Sequence, residues 1–391
     1  MIPYGRHHID ESDIAAVTDL LRNGLLTQGP IVEEFERAVA DYTGARYAVA
    51  VSSGTAGLHI AAIAAGVGPG TALVTSPITF VASSNAALYA GGRPLFADID
   101  RETVNMSPAK LAEILARHPE VKAVVPVHFA GLACEMAEIR AMADRSGVKV
   151  IEDAAHALGG SYTDGSKIGS NVHADMTVFS FHPVKAVAAG EGGLVTTNDE
   201  QLYRRLLRLR SHGINKLDDP FHFVEQAMSG GAVNPWYHEM QELGFNYRIT
   251  DIQCALALSQ LGKLDSFIAR RRELANAYDK AFAGFSFLNP AQSRESRDIS
   301  GHHLYVVRID FERLGVSRSQ LMLALRERGI GTQVHYIPVP AQPVYRALQM
   351  RPEDYPEALH YYRQALTIPL FYDLSDDQQR FVIDTLQELV G

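Results

Sequence analysis

The sequence predicts an α/β protein: a three-layer α/β/α large domain around a mostly parallel sheet, followed by a smaller C-terminal α+β domain. Three observations carry this. From Tyr47 to Asn198, short β-rich runs alternate with stretches of helical spacing, the pattern of βαβ units. The runs are almost wholly apolar, as strands covered on both faces must be. After Asn289 the order changes to strand, helix, strand-like run and final helix. A chain of 391 residues also exceeds what one core comfortably holds. Residues 1–260 are expected to form the large domain with its N-terminal helices, and residues 261–391 a long connecting helix and the small domain.

Two amphipathic helices are expected near Glu11–Arg22 and Val32–Tyr42. The strands are read at YAVAVSS, ALVTSPITF, KAVVPVHFAG, VKVIEDAAHA, ADMTVFSF and GGLVTTN. Between them GLHIAAIAAG, ASSNAALYAGG, SPAKLAEILARH and EMAEIRAMADRSG have helical spacing. From Ile214 to Asn246 the chain is rich in Gly, Pro and aromatic residues and has no clear period. Long irregular segments of this kind are usually functional or disordered. A helix then runs from about Thr250 to Phe282, with Thr250 and Asp251 at its N-cap. The small domain begins with strand HLYVVRIDF and helix SRSQLMLALRERG, then strand-like TQVHYIP and a last helix.

Composition excludes several classes. Apolar residues make up 47% and charged residues 21%, the profile of an ordinary soluble globular protein. The formal net charge of -9 argues against nucleic acid, although a small anion can still be held by local geometry. Cys134 and Cys254, the two cysteines, make neither a disulfide framework nor a zinc cluster and suit a reducing cytoplasm. The histidines show no ligand spacing, so no metal is expected. The N-terminus has no apolar signal core, and the apolar stretch around Leu58–Val67 is too short to span a bilayer.

Three motifs carry the chemistry. Ser53-Gly54-Thr55, Asp153-Ala-Ala-His156, and Ser180-Phe-His-Pro-Val-Lys185 followed by Gly190–Gly193 each fall at the end of a predicted strand. In an open parallel sheet, ligands collect beyond the carboxyl ends of the strands. A lysine that forms a Schiff base must spend time uncharged, which needs a site that lowers its pKa; the plainer reading of Lys185 is a loop lysine. Asp153 could hold a cofactor's ring nitrogen protonated, or simply cap the next turn. Glu152 should point to the opposite face of the pleat. Ser53-Gly54-Thr55 joins a strand to a helix and could hold a phosphate on backbone N–H groups, or be an N-cap and nothing more. Gly66-Val-Gly-Pro-Gly70 follows a helix and precedes a strand, the reverse of a Rossmann loop, and reads as a turn. Arg204–Arg210 and Arg270–Arg272 read as solvated helix faces, and His7 and His8 as surface residues.

The ordered set VSSGTAGLH, SPITFVASSNAAL, VPVHFAG, VIEDAAHALGG, VFSFHPVKAVAAGEGG, RSHGI, GFNYRITDIQCALALSQL and TQVHYIPV resembles the DegT-like sugar aminotransferases, fold-type I enzymes dependent on pyridoxal phosphate (PLP). The likeness spans essentially the whole chain. It implies that Lys185 links to the cofactor and shuttles a proton between cofactor and substrate carbons. By the same likeness Asp153 pairs with the ring nitrogen and Phe80 stacks on the ring. His156, where most relatives carry Gln, lies beside the phenolic oxygen. Gly54, Thr55, Ala56 and Ser180 hold the phosphate, and Asn246 reaches the phosphate of the neighbouring subunit in a homodimer. IPYGR, LLTQGP, EDAAHA, SFHPVK and PWYHEMQELGFNYR resemble the pseudaminic acid branch of the family. That branch implies L-glutamate as donor and a UDP-linked 4-keto sugar as acceptor. Tyr4, Gly24, Leu25, Leu26, Thr27, His335 and Tyr336 would line the sugar-nucleotide cleft. A relative acting on a perosamine- or bacillosamine-type precursor is the nearest alternative, and a PLP-binding regulator without turnover a more distant one.

Overall fold

The computed structural model describes residues 1–215, 219–285, 287–292 and 294–390. Helix α1 (Glu11–Asn23) opens on a capping box: Asp10 accepts from the Ser12 and Asp13 N–H groups, and Asp13 reaches back to the Asp10 N–H. Helix α2 (Pro30–Thr43) starts on a proline, whose missing N–H costs nothing in a first turn.

The main sheet follows, built from β1 (Tyr47–Val51), α3 (Gly54–Ala64), β2 (Ala72–Thr75), α4 (Ala82–Tyr89), β3 (Arg93–Phe96), α5 (Pro108–Arg117), β4 (Val121–Val125), α6 (Met136–Ser146), β5 (Lys149–Asp153), β6 (Met176–Ser180), β7 (Gly193–Thr197) and α7 (Glu200–Arg210). Its order is β1-β7-β6-β5-β4-β2-β3. Only β7 runs against its neighbours, β6 and β1; the other pairs are parallel. Hence β1, β2, β4, β5 and β6 end on one edge. The strands bury both faces. Ala48, Ala50 and Val150 pack with Phe35 of α2 and Ile139 of α6, whereas Val49, Val51 and Ile151 pack with Leu58 of α3 and Leu206 of α7. That double burial is why their sequences do not alternate. Strand β3 escaped the sequence reading: it has four residues, Arg93 is exposed, and Pro94 fits only an edge position.

The irregular segment holds α8 (Val224–Ala227) and a hairpin of β8 (Met228–Ser229) and β9 (Ala232–Val233); its residues 216–218 lie outside the described residues. Gly230 and Gly231 turn the hairpin with φ of 58° and 84°, values few other residues adopt. The long helix expected from Thr250 to Phe282 is two, α9 (Asp251–Leu261) and α10 (Leu264–Phe282). Gly262 weakens the helix at the break, and Lys263 leaves it to pair with Asp10 at 2.9 Å and Asp13 at 2.7 Å.

A second sheet, β10 (Leu288–Pro290), β11 (Tyr305–Ile309) and β12 (Ala365–Ile368), is antiparallel in that order. It packs with Tyr278 and Phe282 of α10 and with the helices Arg318–Glu327 and Asp376–Val390. TQVHYIP is not a strand. Gln333 alone bridges to Thr367, and the Tyr361 hydroxyl takes the His335 carbonyl at 2.6 Å.

Three surface expectations also fail. Arg271 is 2% exposed and donates to the carbonyls of His302, His303 and Leu370, because α10 is covered on that side by the second sheet's connections. Arg210 turns inward to Glu36 at 2.5 Å and the Ala50 carbonyl at 2.7 Å. His8 is half-buried, bonded to Asp373 at 2.8 Å and packed against Tyr372. Among the described residues no helix is long and apolar enough to cross a membrane.

Candidate active site

Beyond the carboxyl ends of the parallel strands lies a cavity of about 610 Å³. Asp153, the last residue of β5, faces it. One carboxylate oxygen accepts from the Ser83 hydroxyl at 2.6 Å and the other from the Ala155 N–H at 3.2 Å. Ser83 is steadied in turn by Thr79, at 2.6 Å. Glu152 points the other way and is fully buried, accepting from Tyr162 and Thr177.

Lys185 sits in the loop after β6, turned by its N–H to the His182 carbonyl. The loop is sealed beneath by buried Val187, Ala188 and Ala189. Burial pulls the ammonium down to about 8, against an opposing pull from the Asp153 carboxylate. An amine held there can be neutral or charged near working pH, as nucleophilic and proton-transfer roles require.

Ser53, Gly54, Thr55 and Ser180 line the same cavity. Ser53 caps α3 by accepting the Ala56 N–H at 3.1 Å. Ala56 is therefore not a free donor and does not line the cavity, contrary to the sequence expectation. Gly54 and Thr55 begin the helix, where N–H groups have no carbonyl four residues back. The backbone approaches closely here. A Cβ on Gly54 would lie 3.0 Å from the Ser180 Cβ, and one on Gly193 2.5 Å from the Ser53 carbonyl group.

His156 is 8% exposed, and its Nε2 lies 3.1 Å from the Tyr336 hydroxyl. Burial, with Lys185 and His335 nearby, holds the imidazole well below its ordinary value, and burial holds the Tyr336 phenol up. The phenol therefore keeps its proton and can donate it to Nε2, an arrangement that leaves the His156 proton on Nδ1, which has no partner. His303 lies beside it, tilted by 38° with ring centroids 4.4 Å apart, and its Nδ1 is likewise unpartnered. His335 bonds Thr367 at 2.8 Å, and its ring lies 5.4 Å from that of Tyr4. Phe80 is 60% exposed at the cavity edge, 6.5 Å from the Tyr336 ring.

Tyr4, Gly54, Thr55, Phe80, Asp153, His156, Ser180, Lys185, His335 and Tyr336 thus meet in one cavity. Gly24, Leu25, Leu26 and Thr27 do not. Thr27 bridges to Thr250, and the Leu26 carbonyl takes the Asp251 N–H, which ties this turn to the start of α9 on the exposed surface. Asn246 is exposed as well. Thr79, Ser83, Glu191 and His303 line or support the cavity without having been singled out in the sequence. Thr79 lies in the turn before α4 and Ser83 in its first turn, and no spacing in the sequence announces that the two hydroxyls meet.

A half-buried amine with lowered proton affinity, a fixed carboxylate, an imidazole with one unpartnered nitrogen and a backbone cradle too close for a Cβ fit a phosphorylated aldehyde such as PLP. Among the described residues no group of three or more His, Cys, Asp or Glu side chains could hold a metal ion.

The DegT/DnrJ/EryC1/StrS aminotransferase family pattern matches residues 7–387. The spore coat polysaccharide biosynthesis protein SpsC of Bacillus subtilis is 40% identical over 392 aligned residues, covering 100% of this chain and 97% of SpsC. Among solved structures, Helicobacter pylori PseC, an aminotransferase involved in the biosynthesis of pseudoaminic acid, superposes with a TM-score of 0.88 at 28% identity, covering 100% of this chain and 99% of PseC. Spr1654 of Streptococcus pneumoniae in its PMP form gives 0.89 at 29% identity, covering 100% and 99%; it has also been solved in a PLP form.

Proposed function

Because the chain belongs to the DegT/DnrJ/EryC1/StrS aminotransferase family, we propose that it moves an amino group from L-glutamate to the C4 ketone of UDP-2-acetamido-2,6-dideoxy-β-L-arabino-hexos-4-ulose. The products are UDP-4-amino-4,6-dideoxy-N-acetyl-β-L-altrosamine and 2-oxoglutarate, and the cofactor is PLP. The observation that carries this reading is the single cavity joining Lys185, Asp153 and the Ser53–Thr55 and Ser180 cradle. Likeness to PseC and to a polysaccharide biosynthesis protein supports a nucleotide-linked sugar as acceptor.

When bound, PLP supplies an aldehyde for amine exchange and a protonated ring that takes up electron density from the carbon losing its proton. The residues divide the remaining work. The N–H groups of Gly54 and Thr55 and the hydroxyls of Thr55 and Ser180 would hold the phosphate, aided by the positive end of α3. Asp153, fixed by Ser83 and Ala155, holds the ring nitrogen protonated. His156 would face the phenolic oxygen with its unpartnered Nδ1, and Phe80 would cover a ring face. Lys185 Nζ takes the proton from the donor Cα and delivers one to C4 of the sugar. Delivery from that one side sets the configuration at C4. Tyr4, His335 and Tyr336 line the space left for the sugar.

The working unit in this reading is a homodimer in the cytoplasm. Leu25 and Leu26 are 61% and 54% exposed, and Trp236 and Leu243 are 75% and 77% exposed. Apolar side chains this bare suit burial against a second copy, which would bring Gly24–Thr27 and Asn246 to its cavity. Incubating the protein with PLP, L-glutamate and a panel of nucleotide-linked 4-keto sugars, then identifying the products by mass spectrometry and NMR, tests the reading. Amination of the UDP-linked β-L-arabino sugar alone supports it. Amination of a perosamine- or bacillosamine-type precursor instead moves the substrate and keeps the reaction class.

A further inference from the structure

The cavity is short of positive charge for the substrates proposed above. Both are anions: the donor carries two carboxylates and the acceptor a diphosphate. Among the described residues lining the cavity, Asp153 and Glu191 are acidic, Lys185 is the one lysine, and there is no arginine. His182, exposed, also lines it; His303 and His335 lie there too, but burial holds both below their ordinary values, His335 at about 3. His156 is neutral for the same reason. With PLP bound, Lys185 would be occupied by its aldehyde. The anionic end of a bound substrate therefore needs a cation from outside the cavity floor.

One lies on the N-terminal segment, two residues beyond Tyr4 of the cavity lining. Tyr4 lines the cavity, and its carbonyl accepts the Leu370 N–H at 3.0 Å. Gly5 lies over the loop of Lys185: a Cβ there would meet the Val184 Cβ at 3.9 Å. Beyond, His8 is pinned by Asp373 at 2.8 Å and by Gln260, which donates to its carbonyl at 2.9 Å. Arg6 thus belongs to a short segment anchored on both sides beside the opening. Its side chain is exposed, and among the described residues it has no carboxylate within ion-pair distance. A guanidinium with no partner on its own chain has its planar fork free for a phosphate or carboxylate.

We propose that Arg6 is a specificity-determining residue that binds the diphosphate of the nucleotide-linked acceptor at the cavity mouth. The choice of diphosphate follows from length. L-Glutamate, with its Cα at Lys185, is too short to leave the floor. A sugar with its ketone at Lys185 must trail its nucleotide outward. The inference rests on the nucleotide-sugar reading above.

The test is calorimetric titration of the PLP-loaded protein with uridine diphosphate at pH 8, where an ordinary histidine is neutral, at low and high salt. Arg6→Gln is expected to weaken binding about tenfold or more, the worth of a charge-assisted hydrogen bond, and to flatten the salt dependence. Arg6→Lys should keep part of the affinity. The KM for L-glutamate in the first half-reaction should not change in either variant. Equal uridine diphosphate affinity for wild type and Arg6→Gln overturns the inference and leaves the nucleotide reading standing. An equal loss toward glutamate also overturns it, because Arg6 would then serve the donor. A wild-type protein that binds no uridine diphosphate overturns the nucleotide reading, and the Arg6 inference with it.

Discussion

At Lys185 burial and the Asp153 carboxylate pull in opposite directions, and burial wins, leaving the amine at about 8. Acetylation of the cofactor-free protein should therefore label Lys185 with a midpoint near pH 8 in a mass-spectrometric titration. A midpoint near 10.5, the ordinary lysine value, would mean that the loop leaves it solvated. The Ser83 hydroxyl at 2.6 Å is the strongest support of Asp153. Ser83→Ala removes a hydrogen bond to a charged group, so about 1.5–3 kcal/mol is expected to be lost, with kcat falling some ten- to hundredfold. Turnover unchanged in that variant would separate Asp153 from the chemistry. Lys185 and Asp153 were legible in the sequence because each follows a strongly apolar strand, and strand ends in such sheets face ligands. Ser83 was not, because nothing in ASSNAAL says which face of α4 meets β5. His303 was hidden for a similar reason. It reaches the cavity from the approach to β11, held there by Arg271 on its carbonyl, and that contact is tertiary.

At the scale of elements the β1–α3 turn decides whether a phosphate fits. Gly54 stands where a Cβ would lie 3.0 Å from the Ser180 Cβ, so two strand ends close on the helix start. Gly54→Ala is expected to keep the fold and weaken PLP binding at least tenfold, since overpacking of this kind costs about 1–3 kcal/mol; equilibrium dialysis measures it. Unchanged PLP affinity would place the phosphate elsewhere. The strands of the large sheet were legible because burial on both faces writes an unbroken apolar run. The smaller elements were not. β3 has an exposed arginine and a proline, and β12 follows the helix Pro356–Gln364 with no breaker between them. The break between α9 and α10 depends on Lys263 reaching two aspartates on the far side of the chain. Periodicity cannot report such a partner, nor the Tyr361 hydroxyl that donates to the His335 carbonyl within TQVHYIP.

For the whole molecule the question is whether one chain suffices. Asn246 and the turn Gly24–Thr27 lie outside the cavity of their own chain, amid exposed apolar side chains. If they complete the site of a second copy, Lys185→Ala and Asn246→Ala proteins will each be impaired alone, yet mixing them after mild dissociation will recover part of the activity. No recovery from verified mixed dimers would confine each site to one chain. The central claim is that Lys185 carries PLP through amine exchange between glutamate and a keto sugar. Its most direct test is the visible absorbance of the purified protein with PLP, then L-glutamate, then the UDP-linked keto sugar. A yellow band that forms in wild type and not in Lys185→Ala, bleaches with glutamate and returns with the sugar is the predicted result. A wild-type protein that forms no band with added PLP, or a band that glutamate leaves untouched, would contradict it.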